Sequence, residues 1–204
     1  MGLPNCTFDP TAPLSLDASV AINLNATGSV ERILDALPNS IVIVDVVALE
    51  LESGRKNGRT DAEMVAALVK SGRAELASLS NGSEGNFLAL VSGSGDSTLD
   101  DGEASTIAWA VAQGGIPVID ERKGIAICQE RFPNTQVVTT MDLLAHGNVR
   151  AALGPTGLAD AIFNALKLAR MRVQDCYLDW VVEQIGQSRA SICTSLPLSV
   201  RGGP

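Results

Sequence analysis

The sequence predicts an α/β protein: a central, mostly parallel sheet flanked by helices. Three observations carry this. Short apolar runs alternate with longer segments of helical spacing; one run, Ile41-Val42-Ile43-Val44, is wholly β-branched, as strands buried on both faces are; and acids stand directly after three of the runs. Strand followed by helix, repeated along the chain, is the pattern that builds parallel sheets.

Taken in order, residues before Pro13 read as an irregular lead-in, and Leu14 to Leu16 as the first strand, ending in Asp17-Ala18-Ser19. A helical stretch from Val20 to about Leu37 breaks near Gly28. After the strand at 41–44, Asp45 is expected to cap a helix through about Leu51. Residues 53 to 60 read as a polar loop carrying Arg55, Lys56 and Arg59, followed by a helix from Asp61 to Lys70. The Ser/Gly-rich stretch 71–98 is read as an insertion, in which Ala74 to Leu79 and Phe87 to Val91 can be paired strands. Asp100 opens a helix through Gln113, Gly114-Gly115 stops it, and Ile116 to Ile119 forms a strand ending at Asp120. A helix from about Arg122 to Arg131, a strand at Gln136 to Val138 and a short helix from Thr140 to Ala145 come next. Two amphipathic helices, Thr156 to about Arg172 and Gln174 to about Gln187, complete the chain before a loose terminus.

Composition narrows the function. The chain has 204 residues, about 1.4 times an ordinary domain, and 46% of them are apolar but only 3% aromatic, so Ala, Val, Leu and Ile must fill the core. With 15 basic and 23 acidic residues, the net charge of −8 opposes unspecific binding to nucleic acid or anionic lipid, so any such contact needs a local basic patch. The longest apolar stretch, Ile41 to Leu51, is broken by Asp45 and Glu50 and falls short of the roughly eighteen residues a membrane span needs, so no membrane partner is expected. The start lacks a secretory pattern, and a cytoplasmic location is expected. Cys6, Cys128, Cys176 and Cys193 have no zinc-like spacing and read as reduced thiols. His146 is the only histidine, and no G-x-S-x-G turn accompanies it, which sets hydrolase triads aside.

What remains reactive is carboxylate. Asp17 and Asp120 follow predicted strands, Glu103 lies in the first turn of a helix, and Glu50 sits on the helix after the second strand. In a parallel sheet the strand C-termini share one edge, where ligands bind. Carboxylates crowded there repel unless a cation neutralises them, and an all-oxygen donor set suits Mg²⁺ or Mn²⁺ and phosphodiester hydrolysis. The competing reading is capping: Asp17, Asp45, Asp100 and Asp120 all occupy helix N-cap positions, and Asp100 with Glu103 has capping-box spacing.

A resemblance adds to this. Leu16-Asp17-Ala18-Ser19-Val20, Val47-Ala48-Leu49-Glu50-Leu51, Leu99-Asp100-Asp101-Gly102-Glu103-Ala104 and Val118-Ile119-Asp120-Glu121-Arg122-Lys123-Gly124 occur in the order seen in PIN-domain proteins, and the chain resembles a branch related to the toxins of toxin–antitoxin pairs. The resemblance implies a three-layer α/β/α ribonuclease fold. Its site would use Asp17, Glu50, Glu103 and Asp120 to hold Mg²⁺ or Mn²⁺ against an RNA substrate, with Ser19 supporting the first acid. Asp101 and Glu52 are the alternative neighbours of Glu103 and Glu50. A PIN-like domain is expected over 13–150; the insertion 71–98 and a C-terminal helical extension at 155–190, expected to pack on the same domain, depart from the compact family pattern and make the chain longer than a minimal toxin. The resemblance suggests an antitoxin-like protein inhibitor as a partner; the apolar C-terminal helices, with Leu158, Ile162, Leu166, Tyr177, Trp180 and Val181, can pack on the domain or form a homodimer contact.

Arg122 and Lys123 after Asp120, and the loop with Arg55, Lys56 and Arg59, are candidate phosphate contacts or simply solvated charges. Gly93-Ser94-Gly95 completes no phosphate-binding motif and reads as a flexible loop; His146 and Trp109 read as structural. Two rival functions stay open: a noncatalytic PIN-like interaction module whose acids cap helices, and a nuclease directed at DNA.

Overall fold

The computed structural model describes residues 7–80, 82–92 and 98–202. The reading of Gly93-Ser94-Gly95, like Cys6, falls outside them. The chain divides into two compact units, Phe8–Ala21 with Pro38–Thr139, and Met1–Thr7 with Ile22–Leu37 and Thr140–Pro204.

The first unit contains the sheet. Among the described residues it has four strands, β1 (Leu14–Leu16), β2 (Ile41–Val44), β3 (Glu75–Ala77) and β4 (Ile116–Val118), all parallel, in the order β3-β2-β1-β4. Helices flank it, giving the three-layer α/β/α arrangement. β2 is buried along its whole length, as its unbroken β-branched run requires. The chain leaves β1 at α1 (Ala18–Ala26), passes from Ile22 into the second unit with α2 (Val30–Ala36), returns for β2, and leaves β2 at α3 (Asp45–Gly54) and α4 (Asp61–Lys70). α5 (Glu84–Val91) follows β3, and α6 (Asp101–Gln113) leads into β4 and α7 (Arg122–Arg131).

α6 is the central helix of this unit. Asp100 caps it in extended conformation, its Oδ1 accepting the Glu103 N–H at 2.9 Å, and Gly114 ends it at φ +64°, a left-handed turn that glycine adopts without strain. Small residues Ala104, Ser105, Ala108 and Ala110 are buried and let the helix lie close on β1, β2 and β4. Ile107 and Ala108 join Leu90 of α5, Ile119, and Ile127 and Cys128 of α7 in one apolar cluster.

A buried polar clip holds the lead-in. Asn39 Nδ2 donates to the carbonyls of Asp9 (2.8 Å) and Ala12 (2.7 Å), tying the chain ahead of β1 to the turn ahead of β2. Asn39→Ala leaves the buried Ala12 carbonyl without this donor and is expected to cost about 1–3 kcal/mol, read as a melting temperature lowered by several degrees in circular dichroism.

Several expectations are corrected. Phe87 to Val91 is helical, part of α5, and the strand at 75–77 pairs with β2 instead. Gln136 to Val138 makes only an isolated parallel bridge between Val138 and Val118. Asp45 is the first residue of α3 and not its cap, which is Val44, and the expected loop at 53–60 begins with the end of α3 and a 3₁₀ turn at Arg55–Asn57.

In the second unit, α8 (Thr140–Ala145) is as expected, but α9 runs over Gly147–Leu168 and bends at Gly154 (φ +68°) before Pro155. The expected start at Thr156 is therefore only the start of its second half. The expected last helix is divided into a 3₁₀ turn (Asp175–Tyr177), α10 (Leu178–Ile185) and α11 (Gln187–Ala190), with Gly186 at φ +79° between the two helices. Leu158, Ile162, Leu166, Tyr177, Trp180 and Val181 are buried, and the Tyr177 hydroxyl donates to Asp142 at 2.6 Å.

Candidate functional site

The strand order places a topological switch at β1. Successive strands β1, β2 and β3 step one way across the sheet, whereas β4 returns to the other side of β1. In open parallel sheets the crevice at the C-terminal ends of such a strand pair is where ligands bind. Leu16 is in register with Val118, so Asp17 and Asp120 extend from neighbouring strand ends one residue out of step. Adjacent strands are about 4.8 Å apart and a residue advances about 3.3 Å. Both acids are buried.

Each further acid is brought in by a helix. Asp17 precedes α1, and its Oδ2 accepts from both the Ser19 N–H (3.1 Å) and the Ser19 hydroxyl (2.7 Å). It therefore caps the helix, while its charge also raises the carboxyls of Glu50 and Glu103, so the capping reading does not exclude the site reading. Glu103 comes from the first turn of α6 and is only 5% exposed, with Oε1 lacking any hydrogen-bond partner. Glu50 comes from α3, which packs on α6, and is exposed. Glu50 shares the lining of an open cavity of about 480 Å³ with Val46, Leu49, Ser53, Asp100, Asp101 and Gly102.

The electrostatics tie these residues together. Burial, then the charges of Asp100, Asp17 and Glu121, push the Glu103 carboxyl up to about 8, with Lys123 pulling the other way. Asp17 is raised mainly by burial, against the hydrogen bonds from Ser19, with Asp100 adding to the rise. Glu50 is raised by partial burial and then by Asp17 and Asp100, and lowered by Arg59. Asp100 thus acts on all three acids. Its spacing from Glu103 satisfies the capping box, so the sequence marks it only as a cap.

The cations divide. Arg55 is taken up by Glu52 (2.6 Å) and Glu63 (2.7 Å), and Arg59 pairs with the buried Asp61 at 2.8 Å. Arg122 and Lys123 are exposed in the first turn of α7. Positive charge there opposes the helix dipole, and the neighbouring acids offset it. His146 belongs to the second unit, at the N-terminus of α9.

Among the described residues, no three Asp, Glu, His or Cys side chains already converge as a ready-made ion cage. The donor set nonetheless fits a hard divalent cation. It is all oxygen, it contains a buried Glu103 Oε1 without a partner, and burial, then the neighbouring charges, disfavour the ionised Glu103 carboxylate, a cost that a proton or a cation offsets. Two glycines also leave space that a side chain would fill: a Cβ on Gly102 would collide with Glu50 Oε2, and one on Gly124 would lie 2.7 Å from Glu103 Oε1.

A parallel α/β/α sheet with acids just past the ends of its switch-point strands can serve a hydrolase or a binding module alike. The family comparison is specific: the family model DUF3368, described as a PIN domain, matches residues 15–187. The chain belongs to this PIN-domain family. PIN domains are generally nucleases and generally use divalent metal ions. No curated protein and no solved structure matches the chain. Among the described residues no helix is long and apolar enough to cross a membrane.

Proposed function

We propose that this protein is a metal-dependent endoribonuclease, with Asp17, Glu50, Glu103 and Asp120 holding Mg²⁺ or Mn²⁺ and Asp100 joining them. The observation that carries the reading is Glu103: a buried carboxylate whose Oε1 has no partner, surrounded by the charges of Asp17 and Asp100. The bound cation would lower the pKa of a water and offset charge on the phosphate under attack. Ser19 orients Asp17 through its hydroxyl, and Lys123 and Arg122 stand on α7 where they can meet a substrate phosphate. The reading extends to a cytoplasmic RNA target and to a protein inhibitor of the antitoxin kind.

The test is cleavage of matched RNA and DNA oligonucleotides by the purified protein in Mn²⁺ and in EDTA. RNA cut only with Mn²⁺ is the expected result. Cleavage of DNA in preference to RNA would transfer the proposal to a DNA nuclease, and no cleavage of either strand, with no Mn²⁺ binding at millimolar concentration, would favour the interaction module.

A further inference from the structure

We infer that Gly102 and Gly124 are positioning residues: their bare Cα atoms are the openings through which the Glu50 and Glu103 carboxylates reach the shared acid site. The inference rests on the metal-binding reading of those acids.

Neither glycine is required by the backbone. Gly102 is the second residue of α6 and Gly124 the third of α7, and neither has the positive φ seen at Gly114 or Gly154. Inside a helix, glycine is the poorest former after proline, so an unconstrained position favours alanine. The surroundings supply the missing reason. Both glycines are buried, and in each case the atom nearest to the place a methyl group would take is a glutamate carboxylate oxygen. At Gly102 this is Glu50 Oε2, followed by Asp100 Oδ1 at 3.5 Å; at Gly124 it is Glu103 Oε1 at 2.7 Å, followed by Glu103 Cδ at 3.1 Å and Ile119 Cγ2 at 3.2 Å.

The two glutamates come from different helices, α3 and α6, yet each ends against a glycine of the next helix in the chain of contacts, α6 and α7. The contacts thus run α3 to α6 to α7, one carboxylate closing each step. The ends of flexible side chains can swing away at little expense to the fold. A methyl group at either position should therefore leave the protein folded and move the carboxylate.

The experiment compares wild type, Gly102→Ala, Glu50→Asp and the Gly102→Ala/Glu50→Asp double variant. Gly124→Ala and Glu103→Asp form a second set, in which Ile119 also crowds the new methyl. Crystal structures in EDTA read the seat itself, melting temperatures in EDTA read the fold, and calorimetry with Mn²⁺ alone reads the consequence. For Gly102→Ala we expect an unchanged or higher melting temperature, a Glu50 carboxylate displaced with the α6 backbone in place, and Mn²⁺ affinity reduced about tenfold or more, equivalent to about 1.4 kcal/mol. Aspartate is shorter by one methylene, so the double variant should bind Mn²⁺ more tightly than Gly102→Ala alone. A merely structural glycine would not produce that rescue.

A Glu50 carboxylate that keeps its place in the Gly102→Ala structure, or wild-type Mn²⁺ affinity in that variant, overturns the inference; so does a double variant weaker than both singles. A wild-type protein that takes up no Mn²⁺ overturns the metal reading instead, and the EDTA structures then decide the seats on their own.

Discussion

Asp17→Asn and Asp120→Asn are each expected to lower Mn²⁺-dependent RNA cleavage by about 10²–10³-fold or more, with the fold retained. The reason lies in what Asn keeps and what it loses. At position 17 the amide oxygen can still accept from the Ser19 N–H and hydroxyl, so the start of α1 stays capped. What disappears is a negative charge that burial already disfavours, so the metal-free variant should melt at the same temperature as wild type or higher. Asp120 is equally buried at the end of β4. Steady-state cleavage of one RNA strand, paired with melting in EDTA, checks both halves. If both variants cleave as well as wild type, Asp17 is a cap and nothing more, and Asp120, which stands one residue before Glu121, the cap of α7, against the expectation that it caps that helix itself, holds no cation.

In Asp17 the cap and the proposed ligand are one carboxylate, which is why spacing alone could not rank the two readings. This carboxylate takes the Ser19 N–H and hydroxyl at the start of α1, and the same charge raises the carboxyls of Glu50 and Glu103. Asp100 follows the same logic, since its Oδ1 takes the Glu103 N–H while its charge reaches Asp17, Glu50 and Glu103. Asp17 and Asp100 thus each stabilise a helix start and charge the neighbouring acids of the candidate site.

Much of this is legible in the amino-acid order. β1, β2 and β4, and helices α4, α6, α7 and α8, lie close to where punctuation and period put them, because Asp, Gly and Pro mark their ends. Phe87 to Val91 is not legible as a helix: five apolar residues in a row have no period to read, and length and tertiary packing decide. Here Leu90 packs into the cluster with Ile107 and Ile127. Gly154-Pro155 reads as the boundary of a helix, and in the structure it bends one, with Pro155 opening the second half. In the candidate site, acids at strand ends can be found from sequence. The charge that Asp100 exerts on Asp17, Glu50 and Glu103 cannot, since a capping box satisfies its spacing, and neither can the space left at Gly102 and Gly124, which depends on what another helix brings against them.

Metal-free protein is expected to lose stability as pH rises from about 5 to 8, and to regain it on adding Mn²⁺ at the upper end. The direction follows from Glu103, whose carboxyl is pushed up to about 8 in the folded protein from an ordinary value of 4.5. Between those two values the unfolded chain releases its proton while the folded chain keeps it. The folded state then binds more protons, so unfolding becomes easier with each increment of pH, and the loss levels off above about 8. The whole interval corresponds to at most about 5 kcal/mol. Asp17 and Glu50 are also raised and act in the same direction. Glu103→Gln removes the largest contributor while preserving shape, so its melting curves in EDTA should depend less on pH and lie several degrees above wild type at pH 8. Mn²⁺ should stabilise wild type at pH 8 far more than at pH 5, where protons compete with the cation for the same oxygens. A wild-type melting temperature that stays flat or climbs over pH 5–8 in EDTA would mean that Glu103 is ionised and already compensated, and the case for a cation at these oxygens would lose its physical basis.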